Sequence, residues 1–492
     1  MMQDYSYYID SIGEFGVAEE VAYPIVRVNG LPMAKPHEIV IFEDGELGEV
    51  FGLFRDRVEV LLFSPQPVKV GSKVTRTGQT LSIPVGPDML GTVINPLGQP
   101  LSATEAVRKT TGLQEIHVLP LGIPHRKKIH EPFLTGTTLV DMMVPLGKGQ
   151  KELVIGDRKT GKSAFVQTAL RAQAKEGTIT IYAAIAKKKS EIKNLHESLK
   201  ATGSMATSII VASSAQDSPS LINITPHTAM SIAEYFRDQG MNTLVILDDL
   251  TTHAKFYREI SLIAKNFPGR DSYPGDIFYT HARLLERSGN FSHPKKGEVS
   301  ITCLPLVETI EGDMTGYIVT NIMGMTDGHI LFDSNEYYNG RRPAINISLS
   351  VTRVGRQTQS SLNRTITREL MSMLTLYDKM KNLSHFGAEL TENVKNILST
   401  GDKIYAFFDQ PYTLVIPQDV QVILFGLLWL NYIDLTKENL IGIRLQLVKK
   451  LADPQYKTLV DDLLTCNTLN DLLGKITKHK EPLLALWKNE TK

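Results

Sequence analysis

Hydrophobic and polar positions change rhythm twice along the chain. From about Glu19 to Val85, short alternating runs such as "AYPIVRVNGL", "HEIVIFEDGELGEVFGLF" and "RVEVLLFSP" are separated by Asn-Gly, Asp-Gly and other glycine turns. This spacing predicts a small antiparallel β-barrel. From about Gly86 to Gly355, apolar strand-length runs alternate with helical stretches, the signature of a mostly parallel sheet covered by helices. "ELVIG" reads as a buried strand, and "KSAFVQTALRAQAKEG" as the following helix, closed by Gly177. Next come the strand "TITIYAAI", a helix near Ser190 to Ala201, the strand "SIIVASS", a helix around "TAMSIAEYFRDQG" and the strand "TLVILDD". From about Thr358 to the end, Leu, Lys and Glu recur at helical spacing, which predicts an all-helical domain. The expected fold is multidomain α/β: barrel over 1–85, nucleotide-type sheet domain over 86–357 and helical bundle over 358–492.

Composition narrows the classes of function. A chain of 492 residues is too long for one core, and 42% hydrophobic with 22% charged residues describes folded domains. Fifty-three basic residues balance fifty-three acidic ones, which argues against a general nucleic-acid or anionic-membrane surface. Nor does the barrel region carry the spaced aromatic pairs of an oligonucleotide binder, so nucleic acid is not an expected partner. Cys303 and Cys466 lie far apart, which predicts a reducing compartment, no zinc site and no disulfide framework. No basic-then-apolar start indicates a signal peptide. The most apolar stretch, Val420 to Ile433, is too short to span a bilayer and is expected to be a buried helix. Membrane association is therefore expected only indirectly, through docking on something that spans it.

Chemistry enters at "GDRKTGKS", which fits the phosphate-loop pattern G-x-x-x-x-G-K-[ST] through Gly156, Asp157, Arg158, Lys159, Thr160, Gly161, Lys162 and Ser163. It follows an apolar strand and opens a helix, the context that such a loop needs. Its backbone N–H groups would wrap phosphates, Lys162 would reach the outer ones, and the Ser163 hydroxyl would ligate Mg2+. ATP or ADP with Mg2+ are the expected ligands. "TLVILDDL" ends a strand in Asp248 and Asp249, and Asp248, nearer the strand, is the expected metal-side acid. Hydrolysis also needs a carboxylate to orient water. The position after "IYAAIA" carries Lys187, followed by Lys188 and Lys189, while Glu191 lies further on. An ammonium cannot take a proton from water at neutral pH, although it could pair with phosphate. The alternative is that these lysines are a solvated helix start. The site is expected to bind nucleotide without turning it over.

Taken in order, "GDRKTGKS", "IYAAIAKKKS", "LVILDDL", "FPGRDSYPGDIFYTHARLLERSG", "TNIMGMTDGHILFD" and "NGRRPAINISLSVTRVGRQTQ" resemble the alpha subunit of F-type ATP synthases over nearly the whole chain. The resemblance implies a barrel crown, a RecA-like nucleotide domain and a helical base. It also implies three such chains alternating with three beta subunits around a central-shaft gamma subunit, with stator subunits outside and a peripheral place on the cytoplasmic face of the cell membrane. Alpha is the non-catalytic nucleotide binder of that complex, and its glutamine, standing where beta has the catalytic glutamate, matches Lys187. The family's arginine finger falls on Arg353 in "SVTRVG". Ser350 matches a small hydroxyl needed for activity, assigned here to shaping the turn. Arg342 and Pro343 match residues that flank the adenine, and Gln410 in "DQPY" matches a second adenine contact.

Two departures bear on the assembly. The stretch before the barrel is short and acidic where the family usually has a stalk-docking helix, and the link between "LLERSG" and "ITCLP" is short. A diverged rotary ATPase coupled to other work is therefore an open alternative to a standard ATP synthase. A homohexameric nucleic-acid translocase would share the layout. It would need a base in its own site and a basic or aromatic barrel.

Overall fold

The computed structural model describes residues 3–66, 68–101, 110–384, 391–433 and 439–488. The chain forms two compact units, one of Met1–Lys128, Ala174–Thr309 and Asp313–Thr326, the other of Ile129–Gln173, Ile310–Gly312 and Asp327–Lys492.

The first unit opens with the helix Tyr5–Ile12, where the sequence reading found only a short acidic stretch. Asp4 caps it by accepting from the Tyr7 N–H, and Gly13, at φ 71°, ends it. Six strands follow: β1 (Phe15–Ala22), β2 (Ile25–Asn29), β3 (Glu38–Phe42), β4 (Leu47–Leu53), β5 (Val58–Leu62) and β6 (Lys73–Thr80). They close into a barrel in the order β1-β2-β5-β4-β3-β6. Alternation turns Val26, Val28, Val40, Phe42, Val50, Val60, Leu62 and Val74 into a common core. Two buried ion pairs brace the wall, Arg27 with Glu59 and Arg76 with Glu38, each at 3.0 Å. The first barrel strand begins at Phe15, ahead of the hydrophobic rhythm noted from Glu19. Ser82–Val85 is not a barrel strand and pairs instead with Gly112–Glu115.

The rest of this unit is a parallel sheet. Val93–Ile94, Ser208–Ser214, Ile179–Lys187, Thr243–Asp248 and Gly297–Glu308 lie side by side in that order. Their residues are almost wholly buried, which is why they read as continuous apolar runs rather than as alternation. An antiparallel hairpin, Gly289–His293 against Gly297–Glu308, extends the sheet. The helix expected around Thr228 runs from Pro219 to Asp238: Ser218 caps it and Pro219 occupies its first turn.

In the second unit the strand Glu152–Gly156 pairs in parallel with Gly328–Phe332, which pairs antiparallel with Val351–Thr352. Helices dominate from Ser361 onward, beginning with Ser361–Ser384 and Glu392–Phe408. The apolar stretch near Val420 forms the helix Gln418–Trp429, buried from Val420 to Leu428. Among the described residues no helix is long and apolar enough to cross a membrane. The architecture is thus an N-terminal closed barrel, a central largely parallel sheet domain and a C-terminal helical region.

Candidate nucleotide-binding site

The phosphate loop lies in the second unit, between the strand Glu152–Gly156 and the helix Lys162–Lys175. Gly156 has to be glycine: its φ is 152°, and a Cβ there would lie 2.2 Å from the Phe332 carbonyl oxygen. Lys159 and Gly161 also take positive φ, at 64° and 109°, so the loop curls back on itself. Lys162 is buried, its ammonium donating to the Gly156 and Asp157 carbonyls at 2.7 and 2.6 Å. Thr160 donates to the Asp157 carbonyl at 2.8 Å. The Asp157 carboxylate braces the loop from outside, accepting from the Gly312 N–H at 2.9 Å and the Ser334 hydroxyl at 2.8 Å. Arg158, Lys159 and Ser163 are exposed. A carboxylate so engaged holds loop shape rather than phosphate.

From the loop a cleft of about 370 Å³ runs beside the start of the helix. Thr160 and Gly161 close one end, and Tyr337, Arg342, Pro343 and Tyr412 contribute the walls, with Phe165 and Phe332 also lining it. The structure therefore brings Arg342, Pro343 and Gln410 to the phosphate loop's own cleft, as the sequence reading grouped them. Their parts differ. The Arg342 guanidinium lies over the Tyr337 ring at 3.9 Å and donates to the Tyr337 and Arg341 carbonyls at 2.9 and 2.7 Å. Gln410 is buried and its amide is fully occupied: its oxygen accepts from the Thr138 N–H and hydroxyl, and its nitrogen donates to the Gly136 and Leu414 carbonyls. It shapes the wall, leaving no amide hydrogen bond spare for a base. Tyr337 and Tyr412 supply the aromatic faces. The sequence reading did not single out Tyr337, because "EYYNG" gives no clue that Tyr337 is half-buried and Tyr338 is 83% exposed.

In the first unit, Asp248 and Lys187 end adjacent parallel strands, with Ala184 in register with Asp248. A bulge between Ala184 and Lys187, with Ala186 at φ 50°, delivers the Lys187 ammonium to Asp248 at 2.7 Å and Asp249 at 3.5 Å. The other Asp248 oxygen accepts from the buried Tyr182 hydroxyl at 2.5 Å. Burial works against the Lys187 ammonium, but the two aspartates outweigh it and raise its pKa. Burial likewise pushes the Asp248 carboxyl up, with Lys187 and Tyr182 pulling against it. Asp249 caps the helix Leu250–Ile263 through the Thr252 N–H at 2.7 Å. Lys188 and Lys189 are the exposed, solvated helix start, whereas Lys187 belongs to the strand.

The comparison with known families decides what this frame is. Residues 136–352 match the ATP synthase alpha/beta family, nucleotide-binding domain, and residues 359–479 match the ATP synthase alpha/beta chain, C terminal domain. The chain belongs to the ATP synthase alpha/beta family. It is accordingly a nucleotide-binding component of a rotary ATPase, a family that implies a hexameric assembly with other subunits.

Two further residues singled out for that family lie together after the cleft wall. The Ser350 hydroxyl accepts from the Leu331 N–H at 3.0 Å and donates to the Asn346 carbonyl at 2.6 Å, fixing the turn that leads to Val351–Thr352. Arg353 follows, its N–H bonded to the Asp327 carbonyl at 3.1 Å, its side chain exposed and without an ion pair among the described residues. Below it, Glu152 is buried with one carboxylate oxygen unpartnered and the other accepting from Gln150 at 2.6 Å. Burial pushes the Glu152 carboxyl well up, and Asp327 adds to this while Gln150 and Arg353 oppose it.

Proposed function

We propose that this chain is the non-catalytic, alpha-type subunit of a rotary F-type ATPase. It holds ATP or ADP without turnover and lends Arg353 to the catalytic site of a neighbouring beta subunit. The observation that carries the reading is Lys187. The family's catalytic position is a glutamate in beta, and here it is an ammonium held by two aspartates. Water activation needs an acceptor at that place, and an ammonium has none. Glu191, the next carboxylate along, is exposed on the helix that follows.

A nucleotide fits the second unit's cleft. The glycine loop and Lys162 suit phosphates, and the Tyr337–Arg342 stack and Tyr412 offer flat surfaces to a base. For Mg2+ the fit is uneven. Ser163 is exposed, and no hydrogen bond among the described residues uses its hydroxyl. Asp248, by contrast, would have to give up Lys187 or Tyr182 to meet a metal directly. Mg2+ held through Ser163 and the phosphates themselves is the arrangement these residues favour.

Arg353 suits the finger because its guanidinium is exposed and makes no ion pair among the described residues, on a backbone fixed by Asp327 and by the Ser350 turn. A planar cation supplied from outside a catalytic pocket stabilises transferring phosphoryl charge, with effects of about 10³–10⁵ in rate. In the assembled complex, Arg353→Ala is expected to lower kcat by at least about 10³-fold while nucleotide stays bound at the beta sites. Arg353→Lys should rescue poorly, because an ammonium lacks the planar fork. Near-normal kcat in the alanine variant would refute the cross-subunit role. The beta, gamma and stator partners, the Mg2+ ion and the cytoplasmic membrane face belong to this same proposal.

A further inference from the structure

The rotary function leaves unused a cluster of side chains on the barrel side of the first unit. His37 stands just before β3 with φ 62°, a conformation that non-glycine residues rarely hold, and its N–H is bonded to the Val50 carbonyl at 3.0 Å. Glu49 sits on β4 directly opposite Ile39, its carboxylate buried. His117 follows Ile116, whose N–H binds the Leu81 carbonyl at 3.0 Å. The Ile116 carbonyl accepts from Arg287 at 2.9 Å, and Arg287 is itself locked to Glu234 at 2.6 Å. Three separate segments are thus fixed so that three ligand-type atoms meet: His37 Nδ1, Glu49 Oε1 and His117 Nε2 all lie within 4.8 Å of one another.

The same Glu49 oxygen lies 2.6 Å from His37 Nδ1 and 2.9 Å from His117 Nε2. His117 Nε2 is nevertheless buried and makes no well-aligned hydrogen bond among the described residues. A buried ring nitrogen close to an anion but without a well-aligned hydrogen bond has an unfilled requirement. Two imidazolium ions would not meet it well. The rings stack at 4.2 Å, so both charges would face each other around one carboxylate. A single divalent ion would replace both protons.

We propose that His37, Glu49 and His117 form a binding site for one divalent transition-metal ion, with zinc the best match to two imidazoles and a carboxylate. Cysteine spacing gave no sign of it, because no cysteine takes part. Tetrahedral zinc, with bonds of about 2.0–2.1 Å, needs ligand atoms about 3.3 Å apart. The observed separations must therefore open by less than about 1 Å, and the stack must loosen. His37, whose side chain is 50% exposed, is the member that can swing. It also leaves the fourth position to water or to a ligand from outside. The ion would clip β3 and β4 of the barrel to the segment that follows Gly112–Glu115, a long-range tie between parts that the chain joins only through many residues.

The test is zinc titration of the full chain, stripped with a chelator and free of nucleotide, in competition with a chromophoric indicator. Co2+ substitution serves as the spectroscopic readout. Wild type is expected to bind one zinc per chain, and its Co2+ form to show the visible absorption of a four- or five-coordinate nitrogen–oxygen site. His37→Gln, at a half-exposed position that the fold tolerates, should weaken binding by at least about 100-fold, since lost outer partners alone cost 10–100-fold. His117→Gln should do the same, and the double variant Cys303→Ser/Cys466→Ser should change nothing. Wild-type affinity no greater than that of His37→Gln, or a Co2+ spectrum unaltered by that substitution, would overturn the site.

Discussion

Lys187 is the residue on which most depends. Its ammonium lies between two aspartates whose side chains are 8% and 5% exposed, while its own is 22% exposed. Removing one partner of a buried pair costs about 3–5 kcal/mol, and partial exposure to water reduces this. Lys187→Met is therefore expected to destabilise the chain by about 2 kcal/mol in urea unfolding. Lys187→Glu should be worse than Lys187→Met, because a third carboxylate joins two that are already buried. Equal stability of all three proteins would mean that the pair holds nothing together. The role of this residue was only half legible in "AKKKS". A run of three lysines shows that no glutamate is present. It does not show that a bulge after Ala184 turns the first lysine inward while the other two face water. Its partner Asp248 is brought near by strand pairing, which local sequence does not encode.

At the scale of elements, the strand–loop–helix around the phosphate loop is set by one close approach. Gly156 passes so near the Phe332 carbonyl that a methyl group would overlap backbone, which cannot rotate away. Gly156→Ala is expected to cost about 2–4 kcal/mol through strain and displacement of Gly328–Phe332, and to abolish nucleotide binding at concentrations that saturate wild type. Unchanged melting temperature and binding would contradict this geometry. Elements with a local signal were read well: Asp44-Gly45 marked the β3–β4 hairpin, and continuous apolar runs marked the buried parallel strands. Elements set by distant pairing were not. Ser82–Val85 carries barrel-like alternation yet pairs with Gly112–Glu115, and the start of the long helix at Pro219 lay in its Ser218 cap rather than in its apolar period. The cleft suffered most, since Phe332, Tyr337 and Tyr412 come from segments that meet only in the fold.

For the molecule as a whole, the first unit carries a pH dependence of its own. His253 and His281 are buried and His227 lies half-buried beside them, with His253 Nδ1 3.0 Å from His281 Nε2 and the His253 ring 6.3 Å from that of His227. Burial first, then neighbouring positive charge, pushes His227 and His281 well down. Burial also takes His253 to about 4, against the Asn223 carbonyl and Asp249. Below the ordinary histidine pKa of 6.5 the unfolded chain takes up protons that these folded imidazoles refuse, so stability falls as pH drops from 6.5 towards 4. His253 alone accounts for up to about 3 kcal/mol of that loss. Urea midpoints measured from pH 7 to pH 4.5 should fall steadily, and His253→Gln should reduce the slope by about one proton. A flat profile would mean that these histidines are hydrated and free to charge.

Whether the chain holds nucleotide without hydrolysing it is decided on the purified chain with beta subunits shown to be absent. Mg-ATP is added, unbound nucleotide is removed by gel filtration, and the bound species is identified over the time in which a catalytic subunit would turn over many times. Near-stoichiometric nucleotide that remains ATP is expected, lost in Lys162→Ala with the fold retained. Rapid conversion to ADP and phosphate with steady-state turnover would contradict it, because a base would then be acting where Lys187 stands.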